Sequence, residues 1–203
     1  MPGTVKTRLA PLLGPDGAAR LHARLVERAL AMAVGAGGGA VELHASPNAR
    51  YRFFRQMARK YNVQLRDQAG RNLGERMRVA LARALRTSEA ALLIGADCPV
   101  LRPADLRRAM RLLHSGADAV FAPAEDGGYA LIGLRRVSPR LFSAIQWGSA
   151  TVMAETRKRL RSLGWRWREL RTVWDVDRPE DYLRLKRFRL LPPSSAARRS
   201  VPR

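Results

Sequence analysis

One cysteine, Cys98, stands among the 203 residues. That excludes an internal disulfide framework and fits a reducing compartment such as the cytoplasm. Cys98 follows an apolar segment with no histidine partner near it in sequence, so it reads as a packing residue rather than a nucleophile. No apolar run approaches the length needed to span a bilayer, and the first residues lack the apolar stretch of a signal peptide. Histidine is scarce: His22, His44 and His114 stand alone, and no His/Cys cluster has zinc-site spacing. Each of the three therefore reads as a surface or packing position. The G-x-x-x-x-G-K-[ST] spacing of a phosphate-binding Walker loop is missing, and there are no internal repeats.

Lysine is nearly absent as well. Only Lys6, Lys60, Lys158 and Lys186 contribute to the 38 basic residues, so the net charge of +21 is overwhelmingly arginine. The arginines are scattered over the polar faces of many segments, as with Arg102, Arg107, Arg108 and Arg111, not gathered on one stripe with interleaved aromatics. Such a charge favours polyanions at low salt without making nucleic-acid recognition the function. A hydrophobic fraction of 46% is a globular composition. The length suits one domain over residues 1–190, followed by a basic disordered tail, 191–203.

Apolar periodicity predicts a helix from Gly14-Pro15-Asp16 to about Gly35, after a loop over residues 1–13. It also predicts a helix capped by Asn48, one carrying Leu73, Met77, Leu81 and Leu85, one from Pro103 to His114, one from about Ala150 to Leu163, and one beginning after Pro179. Strands are expected over 41–45, 63–66, 91–96, 119–123, 129–134 and 165–173. Their alternation with helices argues for a three-layer α/β sandwich with a mostly parallel sheet, interrupted late by a hairpin-like turn.

Four loops after strands place charge or glycine where ligands bind in such folds. Asp97 ends the apolar run Ala91-Leu92-Leu93-Ile94-Gly95-Ala96; it reads either as a hard oxygen ligand for Mg²⁺ or as a cap for the helix near Pro103. Gly3-Thr4-Val5-Lys6-Thr7-Arg8 offers backbone N–H groups and two cations suited to a diphosphate, or is only a basic arm. Glu125-Asp126-Gly127-Gly128 reads as a ligand-approaching loop or an ordinary hairpin turn. Asp175 and Asp177 read as pointing to opposite sides of an extended segment, so that one of them joins Asp97. Two separated acids and a Lys/Arg loop together suit metal-assisted transfer from a nucleotide diphosphate.

The ordered segments Val5-Lys6-Thr7-Arg8-Leu9-Ala10-Pro11, Leu73-Gly74-Glu75-Arg76-Met77, Gly95-Ala96-Asp97-Cys98-Pro99, Glu125-Asp126-Gly127-Gly128-Tyr129, Trp147-Gly148-Ser149-Ala150-Thr151 and Asp175-Val176-Asp177-Arg178-Pro179-Glu180-Asp181 resemble a GT-A-type glycosyltransferase family. This family is associated with radical-SAM and arsenosugar biosynthesis and lies within the nucleotide-diphospho-sugar transferase superfamily. The resemblance implies a Rossmann-like (GT-A) fold and a cytoplasmic transferase taking a nucleotide-diphosphate-sugar or NTP and a small-molecule acceptor. Lys6 and Arg8 would hold donor phosphates, with Gly74 and Arg76 beside the nucleotide. Asp97 and Asp177 would bind Mg²⁺ or Mn²⁺, Asp126 would act on the acceptor as a base, and Trp147 and Thr151 would shape the acceptor side. Glycosyl transfer is the leading expectation; nucleotidyl transfer with pyrophosphate release is the alternative. Family members begin with an apolar strand that this chain lacks before Pro2-Gly3. The expectation is a sheet without its first, central strand, through a misassigned start or a truncated and impaired copy, with backbone edges and apolar surface exposed mid-fold.

Overall fold

The computed structural model describes residues 2–191. Apart from Leu191, the expected tail lies outside them. The elements run α1 (Ala10–Ala36), β1 (Glu42–Ala45), α2 (Arg52–Tyr61), β2 (Gln64–Asp67), α3 (Leu73–Ala84), β3 (Ala91–Ile94), α4 (Pro103–His114), β4 (Ala119–Pro123), β5 (Tyr129–Leu134), α5 (Val152–Ser162), β6 (Trp167–Glu169) and α6 (Pro179–Arg187). Among the described residues, no helix is long and apolar enough to cross a membrane.

Several boundaries depart from expectation for identifiable reasons. The first thirteen residues are not all loop: Thr7–Leu9 form a 3-10 turn that buries Leu9, and a helical turn follows with Pro11 where its missing N–H costs nothing. Gly14, at φ 68° and ψ 162°, kinks this turn away from the long remainder of α1. Asn48 does not cap α2; its Oδ1 accepts from the Arg50 N–H at 2.9 Å, and Tyr51 is the extended boundary residue. The strand expected over 165–173 keeps only Trp167–Glu169, followed by an isolated bridge between Ala124 and Val173.

Four strands form one sheet in the order β3-β5-β4-β6, in which β5 runs antiparallel to both neighbours and β4 parallel to β6. β4 is buried on both faces. Val120 and Ala122 join the cluster holding Leu106, Ala109 and Leu113 of α4, while Ala119 and Phe121 join the cluster holding Met77, Leu81, Met153 and Leu160 of α3 and α5. These are the three layers, because alternate side chains of one strand feed opposite cores. A third cluster joins the start of α1 to Trp174, Val176 and Leu185. Gly133 of β5 permits this packing, since a Cβ there would come 2.5 Å from Leu92 Cδ2 and 3.0 Å from Leu113 Cδ1.

The sheet is interrupted. β1 and β2 form a separate parallel pair, so among the described residues β1 is bonded only to β2, and β3 only to β5. Helices nevertheless span the gap between them, and a cavity of about 1540 Å³ fills it.

Because Phe121 is fully buried at the junction of β4 with α3 and α5, Phe121→Ala is expected to lower the unfolding free energy by about 3–5 kcal/mol. Urea denaturation checks this; a loss below about 1 kcal/mol would contradict the packing described.

Candidate active site

β3 ends at Ile94, and the turn that follows presents Asp97 at the C-terminal edge of the sheet. The segment beyond it is fixed from two sides. Arg28 donates to the Pro99 carbonyl at 2.8 Å, and Arg171 donates to the Val100 carbonyl at 2.6 Å. α4 is capped without Asp97, because Asp105 Oδ2 accepts from the Arg102 N–H at 3.0 Å. The helix-cap alternative for Asp97 therefore falls away.

The N-terminal loop folds directly onto Asp97. Lys6, in the left-handed region at φ 50°, has a side chain only 6% exposed. Its Nζ lies 2.8 Å from Asp97 Oδ2 and donates to the Val176 carbonyl at 2.5 Å. Arg8 donates to Asp177 Oδ2 at 2.5 Å, and the Val176 N–H donates to the Asp97 carbonyl at 2.9 Å. Four of the expected site residues, Lys6, Arg8, Asp97 and Asp177, thus come together as two cation–carboxylate pairs bridged by one backbone strand.

The expectation that Asp175 and Asp177 point to opposite sides is corrected. Residues two apart on an extended segment share a face. Here Trp174 and Val176 enter the core, leaving Asp175 and Asp177 on the other side, towards the Lys6–Arg8 loop. Asp175 is the acid that sequence reasoning passed over. Burial, and next the negative charge of Asp126, push its carboxyl up to about 6, with Asp97 adding to the rise and Lys6 opposing it. Asp97, Asp126 and Asp175 therefore share one electrostatic field.

His22 on α1 was also missed, since nothing local in sequence distinguishes it. Its Nδ1 lies 3.9 Å from Asp97 Oδ1, and both atoms are buried without a hydrogen-bond partner. Burial holds the imidazole below its ordinary value despite the pull of Asp97, with Lys6 reinforcing the fall. At neutral pH this contact is a neutral ring beside a carboxylate, not an ion pair.

The loop over 125–128 is held rigidly at the other side of the site. Arg184 donates to both Glu125 oxygens, at 2.7 and 3.1 Å, and stacks over Trp174 at 4.4 Å. Asp126, exposed, accepts from the Gly128 N–H at 2.9 Å, which fixes its rotamer. Gly127, at φ 87°, presses against Ala150 so closely that a Cβ would lie 2.0 Å from the Ala150 carbonyl oxygen. Thr151 is exposed beside this contact, its hydroxyl 2.8 Å from that of Ser149.

Gly74 and Arg76 occupy different settings. Gly74 is buried beneath the Trp147 indole, 2.6 Å from where its Cβ would be, and Trp147 meets Tyr129 edge-on. Arg76 lines the large cavity and donates to the Gly70 carbonyl at 3.2 Å. Gly74 is thus a packing position, and Arg76 alone of the two faces open space.

No three His, Cys, Asp or Glu side chains converge on a metal position among the described residues. The donor set still fits a hard cation held partly by water and phosphate. Asp97 Oδ1 has no hydrogen-bond partner, Asp175 lies within the field of Asp126 and Asp97, and one or two carboxylates are what Mg²⁺ takes beside phosphates.

Two outcomes test this geometry. The folded-state value of Asp175 lies above the unfolded value of about 3.9, so its contribution to stability is full below pH ~4 and is lost as pH rises through about 6. In chelator, Asp175→Asn is expected to exceed the parent in stability at pH 8 by about 1–2 kcal/mol, with the difference gone near pH 4. A pH-independent difference in urea midpoints would refute the shared field. Gly127→Ala is expected to cost about 2–3 kcal/mol by the same assay; a neutral effect would mean that the 125–128 loop does not rest on Ala150.

The fold is shared with known transferases. A solved structure from Desulfovibrio desulfuricans G20, provisionally described as a nucleotide-diphospho-sugar transferase, matches at a TM-score of 0.84 and 30% identity, covering 98% of this chain and 86% of its own. A 4-diphosphocytidyl-2C-methyl-D-erythritol synthase structure matches at a TM-score of 0.58 and 15% identity, covering 80% of this chain and 86% of that one. A CMP:2-keto-3-deoxy-manno-octonic acid synthetase complexed with CTP matches at 0.54 and 13%, covering 82% and 86%. No curated protein matches the sequence. The expectation of a nucleotide-diphospho-sugar transferase fold is therefore met. With residues 29–149 matching its family, more than half the length, the chain belongs to the family described as "Uncharacterized protein conserved in bacteria (DUF2064)".

Proposed function

We propose that the protein is a transferase acting on a nucleotide-diphosphate-sugar, moving the sugar to a small acceptor and releasing the nucleoside diphosphate. The observation that carries this reading is the double pairing of Lys6 with Asp97 and Arg8 with Asp177 at the C-terminal edge of the sheet. Two cations are stored there against two carboxylates. A diphosphate offers both cations better partners, through charge-assisted bonds to several oxygens. Their transfer to the donor would leave Asp97 and Asp177 without counter-ions. Mg²⁺ or Mn²⁺ held by these carboxylates, with Asp175 beside them, would restore the balance and neutralise the phosphate charge.

The chain's own groups account for the rest of the reaction. Asp126, fixed by the Gly128 N–H, would take the proton of the acceptor hydroxyl as that oxygen bonds to the anomeric carbon. The bond from that carbon to the diphosphate oxygen breaks, and Lys6 and Arg8 hold the departing anion. Trp147 and Thr151 would shape the acceptor side.

A second reading rests on the crowding of acids. Asp97, Asp126 and Asp175 in one field also suit nucleotidyl transfer, in which a substrate phosphate attacks the α-phosphorus of an NTP and pyrophosphate leaves. The CMP:2-keto-3-deoxy-manno-octonic acid synthetase solved with CTP shares this fold. The products separate the two.

The expected outcome is nucleoside diphosphate release from a nucleotide-sugar with Mg²⁺ or Mn²⁺, and nucleoside diphosphate affinity at least about tenfold weaker in chelator. Asp97→Asn is expected to abolish the metal dependence while leaving polyanion binding intact or stronger. Pyrophosphate release from an NTP would instead select the second reading. No metal-dependent nucleotide binding, measured by calorimetry, would refute both.

A further inference from the structure

Asp97 is held unevenly. Its side chain is 42% exposed, yet one of its two oxygens, Oδ1, is shut off from water. Oδ2 takes the Lys6 ammonium at 2.8 Å. Oδ1 faces His22 Nδ1 across 3.9 Å, and neither atom has a hydrogen-bond partner. Among the described residues these are the only buried side-chain polar atoms left unpaired, and they lie opposite each other.

A buried polar atom without a partner is costly, and here one hydrogen bond satisfies two. The gap exceeds a hydrogen bond by about 1 Å, and the end torsions of Asp and His are broad enough to close it. The direction of the bond follows from the atoms. An ionised carboxylate only accepts, so the hydrogen sits on Nδ1, whether the ring is neutral or doubly protonated. Both ends of the contact are fixed. Ala18, Leu21 and Leu25 of α1 pack in the cluster that holds Val176, and the Val176 N–H donates to the Asp97 carbonyl at 2.9 Å. Arg28, farther along α1, ties the helix to the same turn through the Pro99 carbonyl. His22 is therefore held over Oδ1 by the same packing that places Asp97.

We infer that His22 is a positioning residue for Asp97: its Nδ1–H, donated to Oδ1, keeps Oδ2 turned into the site. This rests on the transferase reading above and deepens it. In the resting site Oδ2 meets Lys6. When a diphosphate draws Lys6 away, a carboxylate held at Oδ1 keeps its orientation and offers Oδ2 to the divalent cation. A carboxylate without that bond is free to turn. Ligating groups fixed by such outer bonds hold metal about 10–100-fold more tightly than those without them. His22 touches neither the phosphate nor the metal in this arrangement; it acts through Asp97 alone.

Two substitutions separate the hydrogen bond from simple packing. His22→Asn keeps an N–H donor near the place of Nδ1, and His22→Leu removes it at similar bulk. Mn²⁺ binding in the presence of a nucleoside diphosphate is measured by calorimetry. His22→Leu is expected to weaken Mn²⁺ by about 10–100-fold, and His22→Asn to restore most of that loss. Equal affinity in the parent and His22→Leu overturns the inference, and so does an Asn variant as weak as the Leu one. Nitrogen hyperfine coupling from His22 in the bound Mn²⁺ spectrum overturns it too, by making the ring a ligand. A measurement on the unsubstituted protein covers the case in which the variants do not fold. With chelator and no nucleotide, well above the ordinary imidazole pKa of about 6.5, nitrogen-15 NMR is expected to show His22 protonated on Nδ1. Protonation on Nε2 instead overturns the inference. A parent that binds no metal with nucleotide refutes the transferase reading and the metal role of His22 together, whereas loss of the predicted difference between variants refutes the role of His22 alone.

Discussion

A single ammonium group organises the site. Lys6 is almost wholly withdrawn from water, and a buried cation is tolerated only with close anionic and hydrogen-bonding partners. Asp97 Oδ2 and the Val176 carbonyl supply them. In meeting that need, three stretches of chain converge: the N-terminal loop, the turn after β3, and the run before α6. The backbone bond between Val176 and Asp97 reinforces the same junction. Asp175 lies beside this junction, where burial, and next the negative charge of Asp126, push its carboxyl up to about 6. In the resting site Lys6 and Arg8 are each paired with a carboxylate, Asp97 and Asp177.

The surrounding architecture supports this arrangement with little free play. Arg28 and Arg171 hold the turn after Asp97 by its carbonyls, and Arg184 holds the 125–128 loop through Glu125 while lying on Trp174. Arginine performs these tasks well because its planar fork satisfies several acceptors at once. Part of the large positive charge is therefore structural. It fixes acceptors around the site.

Much of this was legible in the sequence. The 3.6-residue spacing in 103–114 and the apolar runs at 119–123 and 129–134 returned those elements at their observed limits, because local periodicity and flanking turn residues both pointed the same way. The helix begun at Gly14-Pro15 was equally plain. Asn48 misled, because its side chain closes a turn of its own before the helix begins. The strand after Trp165 was overextended, because an apolar run shows burial but not how much of it pairs with a neighbour. At the site, Lys6, Arg8, Asp97 and Asp177 were readable from residue type and order. His22 was not, since its meaning depends on a helix passing over Asp97, a relation that no local window contains. Asp175 was within reach: the burial of Trp174 and Val176 implies that the acids between and after them share the opposite face. Gly74 had a packing cause, the Trp147 ring, which only the tertiary structure reveals.

The span of the Lys6–Val176 bond, 170 residues along the chain, has a kinetic side. Contacts between distant segments form late, because the entropy of closing the intervening loop must first be offset by the rest of the fold. A nascent chain emerging from the ribosome cannot complete this junction until Val176 has been made. Until then Lys6 and Asp97 remain hydrated and apart. Anything that grips the assembled junction stabilises the whole chain rather than one loop of it.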